Sequence, residues 1–86
     1  MEIVVRTPAG RSRSFEVDKD ETVGEVTTRV VGRFVADDVL EEGPYGLGLL
    51  RGHRVVDLDP ATTLRVEGVR AGAVLHLLHT APQVDG

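Results

Sequence analysis

One stretch of this chain, DKDETVGEVTTRVVGRFVA, reads as a helix; the other patterned stretches alternate with a period of two. Val23, Val26, Val30 and Phe34 recur at spacings of 3, 4 and 4, which puts one apolar stripe on one helix face. Thr22 stands where an N-cap is needed, and Glu25 follows three residues later, the pattern of a capping box. Gly24, Gly32 and the β-branched residues give this helix little intrinsic propensity. A chain with a single weak amphipathic helix needs a sheet to pack it against.

The alternating segments supply that sheet. MEIVVRT puts Met1, Ile3 and Val5 on one face and Glu2, Val4 and Arg6 on the other. PAGR makes a turn, and RSRSFEV returns with Phe15 and Val17 facing the core. Arg13 has the same parity as Phe15 and is expected to snorkel at the sheet margin. After the helix, DDVLEEGPYG reads as an acidic loop broken by Gly-Pro. LGLLRGHRVVDL predicts two short strands about a tight turn at Arg51-Gly52. DPATTLRVEGVRAG is a connection anchored by Leu64 and Val69. AVLHLLH predicts a last strand, with Leu75 and Leu77 on one face and His76 and Leu78 on the other. The order strand, strand, helix, strand, strand, strand predicts an α+β domain with one helix across a mixed sheet of four to five strands. Residues 1–79 form this domain, and residues 80–86 read as a flexible tail containing Pro82.

The 86-residue length suits one domain. The chain has no cysteine, which excludes disulfides, a thiol nucleophile and a thiolate metal site. It carries 14 acidic against 10 basic residues, a formal charge of −4. That balance argues against a nucleic-acid partner. No run approaches the ~20 apolar residues that span a bilayer, so no membrane partner is expected.

The opening MEIVVRTPAGRSRSFEVDKDETVGEV resembles that of ubiquitin. The likeness lies in strand lengths, in the T-x-x-G hairpin, in the Glu-Val that closes the second strand, and in the acidic segment before a Thr-capped helix. VLHLL resembles ubiquitin's last strand, His76 included. LLRGHRVVDLDPATTLRVEGVRAGAVLHLL also resembles bacterial ubiquitin-like proteins of the EsaB/YukD type, found with WXG100 secretion systems. The resemblance implies a β-grasp fold, a cytoplasmic protein, no cofactor, and two main functional readings with a weaker third.

In the first reading the chain is a bacterial protein modifier. An E1-like enzyme would activate the Gly86 carboxylate, and an E2-like protein would carry it to protein targets. A processing peptidase is implied where Gly86 is not encoded last. Asp85 replaces the penultimate glycine of the usual Gly-Gly, which requires an enzyme channel of another shape. The partner-binding patch implied by the resemblance falls on Pro8, on Leu49 or Gly48, on His76 and on Leu78. Val4 is a further outward apolar position, and Arg51, His53 and Arg54 form a basic rim. In the second reading the domain is a non-conjugated EsaB/YukD-like module that binds a secretion-system component. A sulfur carrier is a third reading, which Asp85 also disfavours.

The remaining constellations are bland. His76 and His79 lie three apart on a strand and so point to opposite faces, which does not make a metal pair. Asp37, Asp38, Glu41 and Glu42 lack calcium-loop spacing. Ser12 and Ser14 have no companion histidine in a nucleophile motif. No enzyme activity is expected.

Overall fold

A computed structural model describes residues 1–80 of the chain. Its elements follow in the order β1 (Glu2–Arg6), β2 (Ser12–Glu16), α1 (Val23–Ala36), β3 (Tyr45–Arg51), β4 (Arg54–Asp57) and β5 (Val74–His79). The five strands form one sheet in the order β2-β1-β5-β3-β4. β1 and β5 pair in parallel, with Val4 opposite Val74 and Arg6 opposite His76. The other pairings are antiparallel. The expected tail residues Asp85 and Gly86 lie outside the described residues.

Helix α1 lies across one face of the sheet. Its stripe of Val23, Val26, Val30 and Phe34 is buried, as the spacing predicts. The stripe meets Ile3 and Val5 of β1, Leu47 of β3, and Leu75 and Leu77 of β5, all nearly inaccessible to solvent. The connection after β4 completes the core with Leu58, Leu64 and Val69. It is held by backbone bonds from Val23 N–H to the Thr62 carbonyl and from Leu64 N–H to the Glu21 carbonyl. Gly24 brings the first helical turn against the Pro60 carbonyl, where any Cβ would lie 3.0 Å from that oxygen. Its weak propensity is thus exchanged for close packing.

Both helix ends are satisfied. The Thr22 side chain accepts from Glu25 N–H at 3.1 Å, and the Glu25 carboxylate accepts from Thr22 N–H at 3.2 Å. At the other end Asp37 is the C-cap and pairs with Arg33 and Arg13. Arg13 behaves as expected at the sheet margin, with its guanidinium 5.6 Å above the Phe34 ring. The Arg13 hydrogen bond holds the Asp37 carboxyl below the usual carboxylate range.

The hairpin after the helix differs from expectation by small steps. β3 begins at Tyr45, inside the segment expected to be loop, because Tyr45 pairs with His79. The turn is Gly52-His53 and not Arg51-Gly52, since Arg51 still pairs with Arg54. Gly52, at φ 66°, takes the first turn position, where a type II′ hairpin calls for glycine.

Two stability effects are expected. Thr22→Ala breaks the capping box and should cost about 1 kcal/mol in urea denaturation. The second concerns Glu21. Its carboxylate accepts from Arg29 and from Asp18 N–H, and these bonds hold its pKa down to about 2. A depressed pKa in the folded state stabilises above the ordinary carboxylate value. That stabilisation is lost as pH falls from 4.5 toward 2. Glu21→Gln should therefore lower stability at pH 7 and flatten its decline over that acid window, read by denaturation at a series of pH values.

Candidate docking face

The helix covers one face of the sheet and leaves the other open. Strand alternation and register decide which side chains the open face carries. From β1 come Glu2, Val4 and Arg6, which alternate with buried Ile3 and Val5. From β5 come Val74, His76 and Leu78, which alternate with buried Leu75 and Leu77. Gly48 of β3 pairs with His76 and Gly46 with Leu78, so both glycines share this face. Asp57 of β4 pairs with Gly48, and Val55 pairs with Leu50.

These pairings place the expected patch residue by residue. His76 and Leu78 are on the open face and half-buried. Pro8, in the β1–β2 turn, borders the same hollow as Arg6, Val55, His76 and Leu78. Pro8, His76 and Leu78 therefore come together. Leu49 does not. It pairs with inward-facing Leu75 and packs against the core, so its assignment to the patch is corrected. A neighbour of Leu49 on β3 takes the outward place, because a shift of one residue along a strand changes the face. Beside His76 that neighbour is Gly48, the alternative position, which has no side chain to offer.

The space above Gly48 is occupied from both sides. A Cβ on Gly48 would lie 2.5 Å from Val55 Cγ1 and 2.8 Å from Leu78 Cδ1. Val55 and Leu78 therefore lean over the glycine and join across β3 into one apolar surface. Sequence reasoning missed Val55, Leu50 and Val74. Their exposures of 37%, 55% and 44% are high for large apolar side chains in a sheet. Together with half-buried Val4 they form a row across four strands. Val4 pairs with Val74, Leu50 follows Leu49 and so lies beside Val74, and Val55 pairs with Leu50. Contiguous exposed apolar surface of this kind marks interaction sites.

The basic rim is only partly assembled. Arg51, His53 and Arg54 sit at the β3–β4 turn, at the opposite end of the sheet from Pro8. Arg51 is engaged, donating to the Glu67 carbonyl at 2.6 Å. His76 and His79 do point to opposite faces, and the His79 ring meets Tyr45 edge-on at 5.0 Å. Among the described residues, no three His, Cys, Asp or Glu side chains gather as metal ligands. Nor is any described helix long and apolar enough to cross a membrane.

Gly48→Ala tests the bridging of β3. The new methyl must displace Val55 Cγ1 and Leu78 Cδ1, and it would lie 3.3 Å from the Val56 carbonyl oxygen, which cannot turn away. Destabilisation of about 1–3 kcal/mol is expected in urea denaturation, while the methyl NMR signals of Val55 and Leu78 shift more than any others.

No family model matches the chain, and no curated protein matches it. Among solved structures it is similar to a protein designed de novo on the basis of ubiquitin. The TM-score is 0.70 at 26% sequence identity, and the match covers 100% of this chain and 94% of the designed one. The mixed five-stranded sheet, the single helix across it and this likeness together establish a ubiquitin-like β-grasp fold of the α+β class.

Proposed function

We propose that this chain is a ubiquitin-like protein modifier, recognised by its enzymes through the open face of the sheet. The observation that supports this reading most is the meeting of Pro8, His76 and Leu78, joined by Val55, on one exposed surface. The same strand that carries His76 and Leu78 leads to Thr80, whose N–H bonds to the Pro44 carbonyl. Gly86 follows six residues later, within reach of at most ~20 Å from that point. Partner proteins would hold the domain by this face while an enzyme works on the tail.

The chemistry runs in four displacements. The Gly86 carboxylate, encoded last or exposed by a peptidase, attacks the α-phosphate of ATP and releases pyrophosphate. A cysteine thiolate of the E1-like enzyme then displaces AMP to give a thioester, which passes to an E2-like cysteine. An amine of the target finally displaces the thiol and forms an amide. Glycine suits this role because the absence of Cβ lets it pass a narrow channel. Lys19 is the single lysine, so chains linked through lysine would form at that position alone. The domain is the substrate of these steps and holds none of their catalytic groups.

The test is the intact mass of the chain ending at Gly86 after incubation with ATP, Mg²⁺ and the E1-like and E2-like proteins encoded near it. An adduct equal to the summed masses minus water is expected, and none for the chain lacking Gly86. Leu78→Asp, with folding verified by circular dichroism, should slow adduct formation at least about tenfold. Without an adduct conjugation is abandoned. Capture of a WXG100-associated secretion component by the unmodified face would then support the non-conjugated module.

A further inference from the structure

The open face has a pattern that matches itself. Two rows cross the same four strands, β1, β5, β3 and β4. One is apolar throughout, Val4–Val74–Leu50–Val55. The next reads Arg6–His76–Gly48–Asp57, with a cation at one end and an anion at the other. Neither Arg6 nor Asp57 forms an ion pair among the described residues, whereas Arg13, Arg29, Arg33 and Arg65 all do.

We infer that a second copy of this chain is an occupant of the open face. The two sheets would stack about a two-fold axis that runs along the strands, between β5 and β3. Such an axis lays β1 of one copy over β4 of the other, and β5 over β3. Each row then meets its own counterpart reversed. Val4 falls over the partner copy's Val55 position and Val74 over its Leu50 position, so apolar area covers apolar area. In the second row Arg6 falls over the Asp57 position and Asp57 over the Arg6 position, which gives two equivalent ion pairs. His76 falls over the Gly48 position, where no side chain rises from β3 and the Val55 and Leu78 tips offer an apolar seat. A self-complementary patch of this kind is what an isologous dimer requires.

The size of the face sets the strength. Strands ~4.8 Å apart and rows ~6.8 Å apart give a footprint on the order of 300–400 Å² per copy. That is below the usual area of stable complexes, so association should be weak, with a dissociation constant on the order of 0.1–1 mM. Beyond the charged row, the hollows beside Pro8 face each other and hold water. The dimer covers the surface proposed above for partners, so the two compete. This inference rests on the open face being a docking surface and not on conjugation.

Charge reversal provides the test, read by sedimentation equilibrium and by concentration-dependent NMR shifts from about 0.05 to 2 mM. The unaltered chain should dimerise, with shifts concentrated at Val4, Val74, Leu50 and Val55. Arg6→Glu alone sets two carboxylates against each other in both charged pairs, and Asp57→Arg alone sets two guanidinium groups together. Each should weaken the dimer at least about tenfold. Mixing the two single variants should restore association, since every pair across the mixed dimer is then opposite in charge. The double variant should restore it as well. Both positions are exposed, so folding is not at stake. A chain that stays monomeric at ~2 mM, or single variants that dimerise unchanged, or a mixture no tighter than its components, would each overturn the inference. A monomeric chain that still forms Leu78-dependent adducts with its enzymes would leave the docking reading standing while removing this one.

Discussion

The parallel pairing of β1 with β5 is the constraint on which the rest of the molecule depends. It puts the first and last strands side by side within the sheet, with β2 outside one and β3 and β4 outside the other. Parallel neighbours cannot be joined by a tight turn, so the chain between them must cross over the sheet. Helix α1 makes that crossing and spends its only apolar stripe on one face. The other face is left without a cover, and its composition becomes the functional question.

The two faces divide their work. Inside, apolar side chains fill the space between helix and sheet, and among the described residues no buried side-chain polar atom lacks a hydrogen-bond partner. Such an interior holds the fold. Outside, the same strands carry Val55 and Leu78 over a bare glycine, an apolar row, and a charge at each end of the next row. Apolar area bordered by charge is the surface chemistry on which the docking role proposed above rests.

The core was legible in the sequence because its periodicity is local. The spacing of Val23, Val26, Val30 and Phe34 names the buried helix face, and the alternation in MEIVVRT and VLHLL names Ile3, Val5, Leu75 and Leu77. The open face is only partly local. His76 and Leu78 follow from the parity of one strand, but the resemblance left Leu49 and Gly48 as alternatives, and only the pairing of Gly48 with His76 decides for Gly48. The β3–β4 turn lies one residue later than the sequence suggested, and in a structure with a period of two a single-residue step changes every assignment. Of the apolar row only Val4 was legible, and the row itself was not. It draws one residue from each of four strands, two of them from the distant ends of the domain, and only the pairing brings them into line.

The late position of β5 also governs when the domain becomes a folded object. The hairpin of β1 and β2 and the helix leave the ribosome first, yet the strand that completes their sheet is the last of the five to be made. Until Val74–His79 is available, Ile3, Val5 and the valine stripe have no full cover, and two strands with one helix bury too little apolar surface to persist alone. Closure of the core therefore awaits the strand that lies between the first and third.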